Sequence, residues 1–380
     1  MRNPIRLGLI GPDQTQPCGI ADYTARLAEA LASRCELLFV PFQNALMTDA
    51  LRNCDAILVQ YERSLVPDKE FLAQLSHRYS PRVFVVPHEV YHEDPFAFPF
   101  SEIRSSFAPF LWLKQWKYWL THREYAQEKT LQKKAYLSNG VFPLSDPSAD
   151  ILRPLAGSLI LKTIPLAFFH PPELDPSKSI PSISHPSKLG PPRLDAFFPT
   201  RPQWVIGIFG FLNPGLDYDQ ILDLLQSQPR DVCLLILGGK RHHGDTGLDI
   251  ESQAAIKGLQ GRVRVTGYLP ESELSAYLKL CDFFVSPMRF KSTSSSLLTL
   301  LDLGKPILAS SIPLTQYLQK LGAPLDLYED AKGLEKTVDA IRNGTLMPRE
   351  NGYRWTFSEV AEAYLHALDQ RLKIEGQPQG

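Results

Sequence analysis

The chain has 380 residues, with 40 Lys and Arg against 41 Asp and Glu for a formal net charge of −1, and 44% apolar side chains. Such a length favours two or three domains with cores of their own, and the balanced charge argues against a general nucleic-acid binder, which needs a surplus of Lys and Arg to face phosphates. Five scattered cysteines, Cys18, Cys35, Cys54, Cys233 and Cys281, read as buried thiols of a reducing compartment. No apolar run approaches the ~20 residues that span a bilayer, and Ile5 to Ile10 is too short for a signal peptide, so a cytoplasmic protein is expected.

In chain order, Ile5 to Ile10 predicts a strand, followed by a loop and a helix over Cys18 to Leu31, whose Leu27, Ala30 and Leu31 set an apolar face and whose Gly19 lets backbone approach a ligand. Apolar strands precede Val59-Gln60-Tyr61-Glu62 and Val85-Val86-Pro87-His88-Glu89. His88 to His92 has the H-E-x-x-H spacing of zinc proteases, but that chemistry needs a helix. Pro87 and Pro95 bracket the string and argue against one, so no metal site is expected.

Ser105 to Ala135 places Trp112, Trp116 and Trp119 at one-face helical spacing beside Lys114, Lys117, Arg123, Lys129, Lys133 and Lys134. Two readings stand: a face packed on the N-terminal domain with solvated bases, or a peripheral helix in an anionic membrane interface. A strand is predicted at Leu159 to Ile164. Nine of the 32 prolines then lie between Pro171 and Pro202 with few apolar residues, which predicts a linker with a surface excursion.

Strand and helix alternation resumes at Trp204 to Phe209 and Cys233 to Leu237. Val263 to Val265 and Phe283 to Val285 are two more strands, with a helix opened by Pro270 between them. Ser292, Thr293, Ser294, Ser295 and Ser296 then precede a helical run from Leu297 to Leu303. Hydroxyls at a helix start offer side-chain donors beside unpaired backbone N–H groups, which suits a phosphate or diphosphate; the plainer reading is an over-capped helix. A final helix is predicted over Trp355 to Leu372.

Gly267-Tyr268, Pro270, Asp282 and Gly304-Lys305-Pro306, with Cys18-Gly19-Ile20-Ala21-Asp22-Tyr23-Thr24 at the other end, together resemble the GT-B fold glycosyltransferases, in particular the large retaining family 4. The resemblance implies an α/β fold of two doubly wound Rossmann-like domains facing a central cleft: an acceptor-side domain over 1–168, a Pro-rich linker or insertion over 169–203, a nucleotide-sugar domain over 204–352, and a helix over 353–373 crossing back to the first domain. It implies sugar transfer from a nucleotide-sugar donor, UDP- or GDP-linked, to a glycan, lipid-linked or small-molecule hydroxyl, retaining and without metal or other cofactor.

By the same resemblance, the donor base lies against Gly267, Tyr268 and Leu269. The diphosphate lies between Gly19 and the Ser292 to Ser296 turn, near Gly210 and Thr299, with a cation drawn from Lys240, Arg241, Arg289 and Lys291. His88 contacts the transferred sugar or the acceptor as the catalytic candidate, and Asp22, Tyr23, Tyr61, Glu62 and Glu89 are acceptor-side candidates.

Two departures stand beside these matches. Where the family carries two Glu residues around the phosphate turn, this chain has Lys291 and Thr299, and Phe209 to Gly215 lacks the family's Arg and Lys. A sugar transferase is therefore weighed against a catalytically degenerate GT-B protein that binds a nucleotide sugar or a partner, and against an epimerase, phosphorylase or zinc hydrolase.

Overall fold

The computed structural model describes residues 4–13, 18–68, 70–79, 82–90, 140–168, 193–212, 215–239, 249–289 and 291–375. The Ser105 to Ala135 segment, His92, Lys240 and Arg241 lie outside the described residues. The chain divides into two compact units, one of residues 1–166 with 357–380 and one of residues 167–356.

In unit 1 the strands are β1 (Arg6–Gly11), β2 (Glu36–Pro41), β3 (Ala56–Tyr61), β4 (Val83–Pro87) and β5 (Gly140–Val141), paired in the order β2-β1-β3-β4-β5. All pairings are parallel, in registers that include Leu9↔Leu58 and Gln60↔Val86. Parallel strands are joined by crossovers that cover both sheet faces, which is why β3 and β4 are near-continuous apolar runs buried at every position.

Helix α1 (Gly19–Ala32) buries Tyr23, Leu27 and Leu31, while α3 (Phe71–Tyr79) buries Phe71, Leu72 and Leu75. The short α2 (Phe42–Ala45) and the longer α4 (Asp146–Ala156) are the other helices of this sheet's connections among the described residues. The last helix of the chain, α11 (Phe357–Glu375), belongs to this unit: Phe357 packs on Tyr23 with ring centroids 5.3 Å apart, Tyr364 meets Phe142 edge-on at 5.4 Å, and Arg34 donates to the Ser358 hydroxyl at 2.8 Å.

The strand expected over Leu159 to Ile164 does not form. Leu159 ends a short 3-10 turn, and only Ile160 bridges Val141. Because β5 is two residues long, it offers a following segment little ladder; beyond the bridge, Leu161 donates to Val141 and Ile164 to Pro143.

Unit 2 holds β6 (Trp204–Phe209), β7 (Val232–Leu237), β8 (Val263–Val265), β9 (Phe283–Ser286), β10 (Ile307–Ser310) and β11 (Leu325–Tyr328), paired all-parallel in the order β11-β10-β9-β6-β7-β8. Its helices are α5 (Tyr218–Ser227), α6 (Ile250–Ile256), α7 (Glu271–Leu278), α8 (Ser295–Thr299), α9 (Pro313–Lys320) and α10 (Ala331–Arg342). Asp217, Asp249, Ser294 and Asp330 cap four of them by accepting a backbone N–H from the first turn.

The run expected to be helical from Leu297 to Leu303 stops earlier. Helix α8 ends at Thr299, and a turn leads to Gly304 at φ +61°, where a glycine ends the helical stretch without steric cost. Of the Pro-rich segment expected as a linker, residues 169–192 lie outside the described residues; after them Phe198 is buried, the Phe197 carbonyl accepts Arg264 Nε–H at 2.7 Å, and the Phe197 ring meets Tyr277 at 6.0 Å.

Backbone hydrogen bonds explain why Asp282 and Lys305 sit where they do. The Asp282 carboxylate takes the Val205 N–H at 2.7 Å, tying β9 to the start of β6. Lys305 donates to the Lys279 carbonyl at 2.8 Å and to that of Cys281, and burial pulls its pKa down.

At the other end of these strands, backbones meet closely. A Cβ on Gly238, at φ +152°, would stand 1.9 Å from the Gly210 carbonyl oxygen, whereas a Cβ on Gly258, at φ +74°, would meet nothing within 4 Å. Gly238→Ala should therefore cost roughly 3 kcal/mol or more, since conformation and contact both fail, and Gly258→Ala only about 1–2 kcal/mol from its left-handed backbone. Urea midpoints of the two variants check this; equal losses would show that backbone conformation alone governs both glycines.

Candidate active site

In each sheet the candidate residues gather at the carboxyl ends of the strands, and each sheet has a place there where the order reverses. In unit 1 that place is between β1 and β3, and in unit 2 between β6 and β9. Crossovers leave in opposite directions at such a point, so the loops part and open a crevice where ligands bind in doubly wound sheets.

In unit 1, β1 ends at Gly11 and α1 opens at the partly exposed Gly19, with Cys18 providing no side-chain cap. Asp22 is exposed in the first turn of α1, while Tyr23 is fully buried. Tyr61 and Glu62 follow the core of β3 and are both buried, the Glu62 carboxylate taking the Ser64 hydroxyl. Glu89 is half-buried after β4. His88 to Val90 are not helical.

His88 is 3% exposed. Its backbone N–H donates to the Tyr61 carbonyl at 2.9 Å, extending the β3–β4 ladder by one rung. Its ring Nε2 lies 2.9 Å from Gln60 Oε1, and the Tyr23 ring stands edge-on at 5.5 Å. Burial lowers the imidazole pKa to about 4, against a smaller opposing pull from Glu62, so the ring is neutral at physiological pH.

Sequence reasoning passed over Gln60 itself. An amide in an otherwise apolar strand run, Ala56 to Tyr61, was the signal that could have found it. Its Nε2 is buried without a partner among the described residues, a state that costs roughly 1–3 kcal/mol. The Tyr364 hydroxyl is also buried without a partner among the described residues, and burial raises its pKa well above the usual phenol value.

In unit 2 the loops leaving β6 and β9 are stitched together. Leu216 bridges Met288, Arg289 N–H donates to the Gly215 carbonyl at 2.9 Å, and Asp217 N–H donates to that of Pro287 at 2.7 Å. Arg289 Nη2 donates to Asp217 Oδ1 at 3.1 Å, and the guanidinium stays half-exposed. Burial pushes the Asp217 carboxyl pKa up, but hydrogen bonds from Arg289 and from the Gln220 N–H outweigh it, so the net shift is downward.

Around this seam, Gly210 (φ +124°) comes close to Ser296, where an added Cβ would lie 3.1 Å from the Ser296 Cβ and Oγ. A Cβ on Gly239 would approach the Gly267 backbone at 3.0 Å. The Phe211 and Tyr268 rings stack at 6.4 Å and 20°, Tyr268 being 55% exposed and Leu269 buried beside it.

The five hydroxyls do not all face outward. Ser294 accepts the Leu297 N–H at 3.3 Å as the N-cap of α8 and lies 3.3 Å from the Ser296 hydroxyl, while Thr299 donates back to the Ser295 carbonyl at 3.0 Å. Ser292, Thr293, Ser295, Ser296 and Lys291 are partly exposed.

Comparison with curated protein sequences gives no match. Residues 213–343 match the model of the family described as Glycosyl transferases group 1. Among solved structures, the chain resembles Anabaena HepE in complex with UDP-glucose, at 14% identity and TM-score 0.55 over 98% of this chain and 99% of that one. It also resembles a sucrose-phosphate synthase from Thermosynechococcus elongatus, at 13% identity and TM-score 0.57 over 98% and 97%. The lipopolysaccharide outer core galactosyltransferase WaaB gives 11% identity and TM-score 0.59 over 97% and 100%. Residues 213–343, within the second unit, are therefore similar to the family Glycosyl transferases group 1, and the chain shares the GT-B fold of these solved structures.

Proposed function

We propose that the chain is a glycosyltransferase that moves a sugar from a UDP- or GDP-linked donor to a hydroxyl acceptor on a glycan or lipid-linked molecule, with retained configuration and without a metal. The observation that carries this is the position of the group 1 match: residues 213–343 hold the Arg289–Asp217 seam, the Tyr268 ring and the Ser292 to Ser296 turn, at the switch point of a Rossmann-order sheet. The UDP-glucose bound to HepE supports the donor class. Retention and metal independence rest on the likeness to retaining transferases stated from the sequence.

In this reading the base lies on Tyr268 beside Phe211 and Leu269. Ser292, Thr293, Ser295 and Ser296 donate to the diphosphate near Gly210, and the half-exposed Arg289 with Lys291 holds the charge that builds up as the glycosidic bond breaks. Ser294 and Thr299 shape the turn, since their hydroxyls are engaged locally. In unit 1, Gly19 and the start of α1 offer backbone N–H groups that suit an anion. His88, neutral, meets a hydroxyl of the sugar or acceptor, with Asp22, Tyr23, Tyr61, Glu62 and Glu89 on the acceptor side.

Purified protein given a panel of UDP-, GDP- and dTDP-sugars should hydrolyse or transfer from a UDP- or GDP-linked one. Lys291 and Thr299, standing where the family carries carboxylates, favour one alternative: a degenerate protein that binds without turnover. No turnover with any donor, together with a raised melting temperature, would select it.

His88→Ala should lower turnover by about 100-fold or more with donor affinity near normal. Loss of donor binding instead would place His88 on the donor side. Replacing Ser295 and Ser296 by Leu should weaken UDP or GDP binding at least tenfold by calorimetry, and unchanged affinity removes the phosphate assignment.

The pH dependence of stability follows from the buried imidazole. Its folded pKa, about 4, lies below the ordinary 6.5, so folding favours the neutral ring. That contribution is whole above pH 6.5 and is lost as pH falls towards 4, by up to roughly 3 kcal/mol. Melting temperatures at pH 7 and pH 4.5 should drop further for the native protein than for His88→Asn; equal drops would show that the ring is not held neutral.

A further inference from the structure

The buried amide of Gln60 invites an explanation, because β3 would pack as well or better with an apolar residue there. All six residues of Ala56–Tyr61 are buried, and Gln60 is 0% exposed. Its one hydrogen-bond contact among the described residues is the His88 ring, Oε1 to Nε2 at 2.9 Å, and its own Nε2 is left without a partner there. An apolar side chain of the same length would leave no orphaned donor, yet it would also remove the contact between Gln60 Oε1 and the ring Nε2.

The strand register makes the contact unavoidable. Gln60 pairs with Val86 and Tyr61 with Pro87, and His88 continues the ladder through its N–H to the Tyr61 carbonyl. Side chains alternate along a strand, so residues 60, 86 and 88 share a face and the amide meets the ring side by side. Tyr23, edge-on at 5.5 Å, flanks the same ring.

An imidazole that can turn about its χ2 or exchange its proton between nitrogens presents a donor at one moment and an acceptor at the next. One held by an acceptor at Nε2 has a fixed sense. We propose that Gln60 is a positioning residue for His88: by accepting the Nε2–H through Oε1, it locks the neutral ring in the tautomer whose lone pair is on Nδ1. His88 then serves as a hydrogen-bond acceptor for a sugar or acceptor hydroxyl and keeps one orientation through the reaction. The inference rests on the reading of His88 given under Proposed function, but the tautomer can be observed independently of any activity.

The full chain labelled with 15N-histidine, observed at neutral pH by long-range 1H–15N correlation and assigned with His88→Asn, should show His88 protonated at Nε2 and unprotonated at Nδ1. A proton on Nδ1, or fast averaging of the two forms, would overturn the proposal. Gln60→Met should keep or raise the melting temperature, shift the ring towards a mixture of tautomers, and lower kcat about tenfold or more with KM for the donor within about twofold. Wild-type kcat in Gln60→Met overturns the positioning role, and a large fall in melting temperature assigns Gln60 to structure instead. Wild-type kcat in His88→Ala overturns the underlying reading of His88, an outcome that the spectrum of the native protein keeps distinct from failure of the tautomer.

Discussion

Parallel pairing is the constraint from which the rest of the molecule follows. A parallel strand cannot return by a hairpin, so each must be regained by a crossover, and every strand delivers its carboxyl end to the same edge. In unit 1 that edge collects Gly11, Tyr61 with Glu62, and His88; in unit 2 it collects Gly210, Gly238, Thr266 and Met288. Residues far apart in the chain thus become neighbours without any long-range contact designed for each pair. The reversal in strand order, at β1/β3 and at β6/β9, decides where along the edge the loops part.

The two units furnish that edge differently. Unit 1 places buried side chains there, an imidazole against an amide, with the Tyr23 ring of α1 on the imidazole and Phe357 of α11 packed in turn on Tyr23. Unit 2 places backbone there: Gly238 lies under the Gly210 carbonyl, Gly239 against Gly267, and Gly210 beside Ser296, at separations that leave no room for a Cβ at Gly238. A floor of bare peptide with hydroxyls beside it suits a ligand recognised by many small donors, whereas a buried neutral ring suits one directed contact.

What the sequence made legible was periodicity. Apolar runs such as Val83 to Val86 and Trp204 to Phe209 announced strands because a doubly covered parallel strand has no polar face, and Pro270 announced the start of α7 because its fixed φ suits a helix entrance. Boundaries that depend on a partner's length were not legible. Leu159 to Ile164 has strand composition, but β5 is too short to pair with it, and Leu300 to Leu303 continues an apolar pattern after α8 has ended at Thr299. The candidate site was legible as a set of residue types, not as a set of pairs. The contact of Arg289 with Asp217 joins two loops 72 positions apart, and that of Gln60 with His88 depends on the register of two strands. Both are properties of the sheet, which no single segment encodes.

Charge at the unit 2 edge sets what kind of recognition is available there. The loop leaving β6 has no Lys or Arg, and Arg289, which reaches it from the β9 side, already spends part of its charge on Asp217. Where the resemblance read from the sequence leads one to expect two carboxylates, the edge has Lys291 and Thr299, a cation and a locally bonded hydroxyl. In the proposed reading, the phosphates of a donor would therefore contribute more of its affinity than the ribose. A half-exposed Arg289–Asp217 pair is worth little in stability by itself. Its value lies in geometry: Asp217 caps α5 and is tied to Pro287, so the guanidinium it holds is referenced to both sides of the switch point at once.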